Sequence, residues 1–316
     1  MRQTALRSPE SARAALDGLR RYQSSEMASA INERPIVDAA GSTSLRDCGG
    51  SGRTIVLVPS LINPPGILDL DPASSLAEAL ATKRRVLLLD WGQAAGRRTL
   101  DLDGHVAERL MPLIARQGPV TLVGYCLGGT LALAAAGRST SVEAVVTLAS
   151  PWDFHAYPAE ARERLLRIWE ASAPAATALG SLPMEVLQVA FWQIDPERIV
   201  AKFARFASMA DGSVEARRFV ALEDWANGGE PLPLPAAQQL VEGLFCGGVA
   251  PWSLPSCPML HVTAAADRIV PAATVATRGE QLSSASGHVG MVVGRDAPTK
   301  LHAPMLSWLE GAGRGG

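Results

Sequence analysis

The sequence predicts an α/β fold, in which a mostly parallel sheet is flanked by helices and carries an inserted, mainly helical cap. Short apolar runs bounded by turn residues alternate with segments of helical period, as in parallel strands joined by crossover helices. One Gly-rich segment joins a strand to a helix through a tight turn. Between residues 151 and 256 several helical segments follow one another, and no convincing strand pattern separates them. These three observations define the predicted architecture.

The individual elements follow from local patterns. A helix rich in Ala, Leu and Arg is expected over residues 8–24. An irregular lead-in follows it and ends in a Gly/Ser cluster, so a loop or a short strand is expected there. Buried strands are predicted at residues 54–61, 85–92, 119–125, 142–150 and 258–264. Helices are predicted between them, at residues 74–83 and 105–118 and directly after the Gly-rich turn.

Three regions are therefore expected along the chain. Residues 1–50 form an N-terminal helix and an irregular lead-in, residues 51–150 and 257–316 form the α/β core, and residues 151–256 form the cap. Five of the seven tryptophans fall in the cap. We expect its apolar helices, with Trp192 and Trp225 among their side chains, to cover the active site, which in parallel sheets lies at the carboxyl ends of the strands.

Composition excludes several classes of function. A chain of 316 residues with 47% hydrophobic residues is long enough for a large buried core. A net charge of −2 gives no reason to expect a nucleic-acid partner. The four cysteines lack metal-ligand spacing and are too few for a disulfide scaffold, so a reducing compartment is expected. The N-terminus shows no signal-peptide pattern, and no apolar run reaches the roughly 18 residues that span a bilayer, so the cytoplasm is expected.

The Gly-rich turn is the most informative stretch of the chain. It contains Cys126 in the motif GYCLGGT, which has the form G-x-nucleophile-x-G with cysteine in place of the usual serine. Gly124 and Gly128 would allow a sharply bent backbone, and Gly129 would let the helix pack close to the sheet. A buried structural cysteine is the other interpretation of this turn taken alone.

Two later residues favour the catalytic interpretation. Asp267 follows the strand predicted at residues 258–264, and His288 lies 21 residues further on in SGHVGMVVG. Taken alone, Asp267 fits a turn or helix cap, and His288 fits a loop. The order nucleophile, acid, histidine is that of α/β hydrolases. In this arrangement His288 is the base that activates Cys126, and Asp267 fixes the tautomer of His288.

The oxyanion hole is expected to use backbone N–H groups. The N–H group of Leu127, directly after the nucleophile, is one donor. The second donor is expected from the loop after the first core strand, at Ser60 or Leu61, and the sequence does not choose between them.

A cysteine nucleophile also indicates the reaction. Transfer from a thioester donor to a thiol exchanges one thioester for another at little energetic cost, and transfer from that thioester to an alcohol is downhill. Ordinary ester hydrolysis would instead pass through an intermediate of higher energy than the substrate. The residue type therefore favours acyl transfer from coenzyme A or another thioester to a hydroxyl group, and it leaves hydrolysis open.

These motifs resemble those of a known family, the catalytic subunits of polyhydroxyalkanoate synthases, most closely the shorter class III type. GYCLGGT is similar to the modified lipase box of that family, and GHVGMVVG also matches. Weaker similarities are LINPPGILDLDP, LLLDWG, SPWDFHA and DRIVP. A histidine commonly follows the acid in the family, whereas Arg268 follows Asp267 here.

The resemblance implies specific roles and ligands. Cys126 would carry the acyl group, His288 would be the base and Asp267 the acid. The substrate would be a 3-hydroxyacyl-coenzyme A, no other cofactor would be needed, and the product would be a polyester whose granules are a further expected location. A homodimer or a second synthase subunit is a partner arrangement that the resemblance leaves open.

Three functions remain as hypotheses at this point. The first is an acyltransferase of the polyhydroxyalkanoate synthase kind. The second is a cysteine hydrolase, which would be a thioesterase, a lactonase or a polyester hydrolase. The third is a non-catalytic protein of the same fold that binds a partner or coats a granule, and the intact set of Cys126, Asp267 and His288 argues against it.

Overall fold

The helices divide between the predicted core and the predicted cap. The computed structural model describes residues 8–26 and 34–312. The α-helices are α1 (Pro9–Gln23), α2 (Leu76–Ala81), α3 (Leu102–Gly104), α4 (Met111–Ala115), α5 (Leu127–Ala136), α6 (Ala159–Leu179), α7 (Met184–Trp192), α8 (Pro196–Ala207), α9 (Val214–Asn227), α10 (Leu234–Gln238), α11 (Gly290–Val293) and α12 (Ala303–Ala312). Shorter 3₁₀ or π-helical turns lie at Pro65–Asp69, Ala94–Arg97, His105–Leu110, Phe154–Ala156, Gln239–Phe245, Ala272–Thr274 and Pro298–His302.

Eight strands form one sheet in the order β1-β2-β4-β3-β5-β6-β9-β10. Strands β1 and β2 are antiparallel to their neighbours, and the strands from β4 to β10 in this order run parallel. The strands of the chain are β1 (Ile36–Ala40), β2 (Thr43–Gly49), β3 (Thr54–Val58), β4 (Arg85–Asp90), β5 (Val120–Tyr125), β6 (Val142–Leu148), β7 (Ser181–Leu182), β8 (Leu232–Pro233), β9 (Met259–Ala264) and β10 (Glu280–Ser284). The predicted α/β fold with a mostly parallel sheet is confirmed.

The central strands are buried on both faces. Every residue of β3 and of β9 is buried. Two separate clusters of buried apolar side chains cover the two faces of the sheet. A parallel strand that is covered by helices on both sides needs apolar residues at consecutive positions rather than at alternate ones. This explains why these strands were recognisable as short continuous apolar runs.

Residues 36–49 of the lead-in, where the sequence predicts a loop or a short strand, are more regular than predicted. These residues form β1 and β2, an antiparallel hairpin that extends the sheet at one edge. Strand β2 buries Leu45 and Cys48 but also exposes or half-buries polar residues, so its sequence lacks a clear apolar run. Its Arg46 forms an ion pair with Asp90 of β4, at 2.9 Å between Nη2 and Oδ2. Pairing with β4 therefore stabilises a strand here, although the local sequence has only a weak strand pattern.

The insertion is helical, as predicted, but contains one small exception. Strands β7 and β8, of two residues each, pair antiparallel within it. The limits of the three predicted regions stay predictions. In the described part of the chain, no helix is both long and apolar enough to cross a membrane.

Helix α1 packs against the insertion rather than against the sheet. Its residue Gly18 lies so close to α8 that a Cβ atom there would be 1.9 Å from the carbonyl oxygen of Phe203. Around this crossing, α1, α8 and α9 enclose a third apolar cluster, which includes Phe206 and Phe219 stacked at 4.2 Å between ring centroids. The N-terminal helix is thus part of the same layer as α8 and α9.

Candidate active site

Cys126 lies at a strained turn between β5 and α5. Its backbone has φ 55° and ψ −132°, a conformation that L-residues rarely adopt and that costs roughly 1–3 kcal/mol. The turn is held from the sheet side, because the N–H group of Cys126 donates a hydrogen bond to the carbonyl oxygen of Leu148 in β6, at 2.9 Å. The strain presents the Cys126 side chain beyond the carboxyl end of β5, at the start of a helix.

The glycines around Cys126 are required by close backbone approach. A Cβ atom at Gly124 would lie 2.3 Å from Cα of Gly129. At Gly128 it would lie 2.2 Å from the carbonyl oxygen of Val58, which belongs to the neighbouring strand β3. The motif therefore encodes a tight turn packed directly on the sheet, in agreement with the sequence argument.

Asp267 is fully buried just beyond the carboxyl end of β9. Its Oδ1 accepts hydrogen bonds from the N–H groups of Ile269 and Val270, at 2.7 and 2.9 Å. Its Oδ2 lies 2.6 Å from Nδ1 of His288. The two backbone donors fix the carboxylate so that its second oxygen faces the histidine.

His288 follows β10 and completes the group. Burial alone would lower its pKa, but the charge of the Cys126 sulfur, hydrogen bonds to Asp267 and Cys126, and the charge of Asp267 outweigh burial and raise the pKa to about 10. The ring of Tyr125 lies 5.0 Å from the imidazole, and the Tyr125 hydroxyl donates to the carbonyl oxygen of His288 at 3.4 Å. Because β5, β9 and β10 are parallel, their carboxyl ends bring Cys126, Asp267 and His288 together at one edge.

A cavity of about 480 Å³ opens onto this group. Cys126, Leu127 and Asp267 line it, together with side chains of α6 and α7. Neither Trp192 nor Trp225, the two tryptophans named in the sequence analysis, lines this cavity. Trp169 lines the cavity, whereas Trp192 is 45% exposed, and the indole N–H of Trp225 donates to the carbonyl oxygen of Pro64.

The predicted oxyanion donors lie in two different surroundings. Leu127 lines the cavity beside Cys126. Ser60 and Leu61 are buried directly after β3 and line a second cavity, of about 780 Å³, with Ile62 between the two cavities. Their use as donors stays a prediction, as does the choice between Ser60 and Leu61.

Sequence reasoning missed a direct link between Arg268 and the insertion. Nη1 of Arg268 lies 2.8 Å from Oδ2 of Asp195, and the other oxygen of Asp195 caps the first turn of α8. Arg268 also lines the rim of the cavity. The residue after the predicted acid thus connects the α/β core to α8, which no local sequence pattern indicates.

Tyr157 was missed as well. It is buried, lines the cavity and follows the short helical turn Phe154–Ala156 after β6. Burial, with the charges of Cys126 and Asp267, raises the pKa of its hydroxyl well above the usual value. Its position beyond the carboxyl end of a core strand was the available signal.

The arrangement is suited to nucleophilic chemistry on a carbonyl group. A sulfur is joined through an imidazole to a buried carboxylate, next to the N-terminus of a helix and an apolar cavity. Such a set can accept and return one proton while a covalent acyl group forms and leaves. Within residues 8–26 and 34–312, no group of three or more His, Cys, Asp or Glu side chains is arranged to hold a metal ion.

Comparisons with known sequences agree with the fold and with the resemblance. A model of the alpha/beta hydrolase family matches residues 55–308. The poly(3-hydroxyalkanoate) polymerase subunit PhaC of Haloferax mediterranei is 25% identical over 289 residues, covering 80% of this chain and 58% of that protein. The PhaC subunit of Synechocystis sp. is 24% identical over 298 residues, covering 81% of this chain and 77% of that protein. The chain thus spans less than two thirds of the Haloferax relative, and the predicted resemblance to polyhydroxyalkanoate synthases is confirmed.

Solved structures match the fold at lower identity. A thermophilic esterase from Thermogutta terrifontis has a TM-score of 0.52 at 16% identity, covering 88% of this chain and 99% of that one. A meta-cleavage product hydrolase from Pseudomonas fluorescens has a TM-score of 0.51 at 16% identity, covering 88% of this chain and 98% of that one. At this identity the match describes the fold alone.

Proposed function

The chain belongs to the alpha/beta hydrolase family, and from this premise we propose that it is an acyltransferase that polymerises 3-hydroxyacyl groups supplied as coenzyme A thioesters. The observation that carries the proposal is a cysteine at the strained turn, linked through His288 to buried Asp267. The similarity to PhaC polymerase subunits supports the choice of substrate.

In the first half-reaction Cys126 attacks the thioester. Nδ1 of His288 faces Asp267, so Nε2 is the atom that takes the proton from the Cys126 sulfur. The sulfur forms a bond to the carbonyl carbon, and the bond from that carbon to the coenzyme A sulfur breaks. The proton passes from His288 to the leaving thiol. Backbone N–H groups, among them that of Leu127, stabilise the oxyanion.

In the second half-reaction a hydroxyl group of the growing chain attacks the acyl group on Cys126. His288 takes the hydroxyl proton, an ester bond forms and the bond to the sulfur breaks. The proton then returns to the Cys126 sulfur, and the enzyme is restored. Asp267 keeps Nε2 of His288 directed at the reacting atoms in both halves. An ester replaces a thioester, so this step is downhill.

The cavity supports transfer to a hydroxyl over transfer to water. Its lining includes apolar side chains of α6 and α7, such as Ile168, Leu187 and Phe191. Such a lining favours an acyl chain and disfavours ordered water beside the thioester. We place the reaction at the surface of the polyester that it produces, and the scheme needs no cofactor beyond the coenzyme A thioester.

One assay tests the proposal and separates it from hydrolysis. Purified protein is incubated with 3-hydroxybutyryl-coenzyme A, while thiol release and the fate of the acyl group are followed together. The proposal predicts thiol release with formation of insoluble polyester. Release of free 3-hydroxybutyrate alone would identify a hydrolase, and no thiol release would contradict both enzymatic functions.

A further inference from the structure

Tyr157 occupies a defined position in the cavity that the proposed reaction does not yet use. Its ring packs against the rings of Phe154 and Phe245, at 5.9 and 5.0 Å between centroids, and those two rings also contact each other at 5.0 Å. Phe154 is fully buried, so this part of the cavity wall rests on the core. The Tyr157 side chain is therefore held in a fixed place beside Cys126 and Asp267.

Tyr157 and Tyr125 differ in the partners of their hydroxyl groups. Tyr125, the other buried tyrosine of the site, donates its hydroxyl to the carbonyl oxygen of His288. For Tyr157 the described residues 8–26 and 34–312 provide no hydrogen-bond partner, although the residue lines the cavity. The Tyr157 hydroxyl is not among the fully buried polar atoms that lack a partner, so it is accessible from the cavity, and a ligand group there can form a hydrogen bond with it.

The other polar groups near the nucleophile are already occupied. Both oxygens of Asp267 accept hydrogen bonds, and His288 is held between Asp267 and Cys126. The Ser172 hydroxyl donates to the carbonyl oxygen of Ile168 in its own helix, at 2.8 Å.

The charged residues of the lining are less suited to a small substrate group. They lie on α6 or at the rim, where Glu160 is exposed, Arg164 donates to the carbonyl oxygen of Gln193 and Arg268 pairs with Asp195. A neutral polar group of an acyl substrate would thus find the Tyr157 hydroxyl available inside the cavity.

We propose that the Tyr157 hydroxyl binds the 3-hydroxyl group of the acyl substrate and makes the enzyme prefer 3-hydroxyacyl over unsubstituted acyl thioesters. The inference rests on the proposed function and assigns a specificity-determining residue within the same site. A 3-hydroxyl group that enters an apolar cavity must replace its bonds to water, and a phenol can both donate to it and accept from it. The high pKa of Tyr157 keeps the phenol protonated at neutral pH, so that it retains both capacities.

The test compares two substrates in the acylation step alone. Single-turnover release of coenzyme A is measured with 3-hydroxybutyryl-coenzyme A and with butyryl-coenzyme A. The readout is the rate with the 3-hydroxybutyryl substrate divided by the rate with the butyryl substrate. In Tyr157→Phe the ring packing against Phe154 and Phe245 is retained. We expect this ratio to fall about tenfold, the effect of one lost hydrogen bond to substrate.

Tyr125→Phe is the matched control. It removes a hydroxyl that bonds to the backbone of His288, so we expect both rates to fall together and their ratio to keep its wild-type value. An equal loss with both substrates in Tyr157→Phe, or no change in either, would overturn the assignment of Tyr157. Wild-type protein that releases no thiol from either substrate would overturn the proposed function as well.

Discussion

The sheet edge and the helical insertion differ in how firmly they are built. Cys126, Asp267 and His288 stand at the carboxyl ends of parallel strands. Hydrogen bonds of 2.6–2.9 Å fix the backbone of Cys126 and the side chain of Asp267. The rim of the insertion meets this edge through an ion pair between Arg268 and Asp195, whose side chains are 66% and 23% exposed. The proposed catalytic groups thus lie on the hydrogen-bonded edge of the sheet, and α6 and α7 supply many of the apolar side chains that line the cavity.

The insertion itself has two parts. Helices α6 and α7 contribute Trp169, Met184 and Leu187 to the same apolar cluster as the sheet. Helices α8 and α9 instead share a separate cluster with α1. Leu222 and Trp225 of α9 also pack against the apolar cluster on the other face of the sheet, so α9 joins this separate cluster to the core. We therefore expect α1 and α8 to be the least firmly attached helices of this group.

The largest effect is expected from the proposed catalytic groups on the sheet edge. His288→Ala removes the base from both half-reactions, and we expect loss of activity by roughly 10⁴-fold or more. Asp267→Ala leaves the imidazole in place but poorly oriented, so acylation should persist while deacylation slows. Single-turnover acylation followed by chase with unlabelled substrate separates the two steps. An Asp267→Ala variant that deacylates normally but fails to acylate would contradict these roles.

The close packing of the turn on the sheet can be tested through stability. In Gly128→Ala the new methyl group would lie 2.2 Å from the carbonyl oxygen of Val58, so backbone must move. We expect the free energy of unfolding to fall by about 2–4 kcal/mol, as in other overpacked cores. Gly311→Ala, in α12 with nothing within 4 Å of its added methyl group, is the control and should stabilise by up to about 1 kcal/mol. Equal effects of both variants in urea unfolding would refute tight packing at Gly128.

The pH dependence of stability tests the coupling of His288 to its neighbours. Its pKa in the folded protein is raised from the usual 6.5 to about 10, so the folded state holds this proton more tightly. The resulting stability is fully present below pH 6.5 and is lost as the pH rises towards 10. Each unit of pKa difference between the folded and unfolded states changes the free energy of unfolding by up to about 1.4 kcal/mol. In Cys126→Ala this loss should shrink, because the sulfur raises the pKa; an unchanged pH profile would speak against the coupling.

The smallest effect is expected at the link between core and insertion. The ion pair of Arg268 with Asp195 is largely exposed, so Arg268→Gln should change the free energy of unfolding by less than about 1 kcal/mol. Hydrogen exchange should nevertheless become faster in α8 and α9. Arg167→Gln removes an exposed ion pair within α6 and serves as the control, for which no change in α8 is expected. Equal exchange rates in α8 for the two variants would show that the ion pair of Arg268 with Asp195 does not hold α8 against the core.

The sequence predicted the central strands of the sheet better than the contacts around the cavity. Continuous apolar runs and the Gly-rich turn located β3, β5, β6 and β9 and placed Cys126, Asp267 and His288 at strand ends. Strand β10 escaped notice because its residues 280–284 are mostly exposed and polar. The roles of Tyr157 and Arg268 depend on contacts between distant segments, such as Arg268 with Asp195, and such contacts have no local period or motif.

The most direct test of the account is to identify the acylated residue. Wild-type protein is mixed with one equivalent of 3-hydroxybutyryl-coenzyme A, quenched in acid and digested, and the peptides are analysed by mass spectrometry. We predict one 3-hydroxybutyryl group on the peptide that contains Cys126, labile to hydroxylamine as a thioester is, and no adduct in Cys126→Ala. An adduct on another residue, or thiol release that persists in Cys126→Ala, would contradict the central claim that Cys126 carries the acyl group.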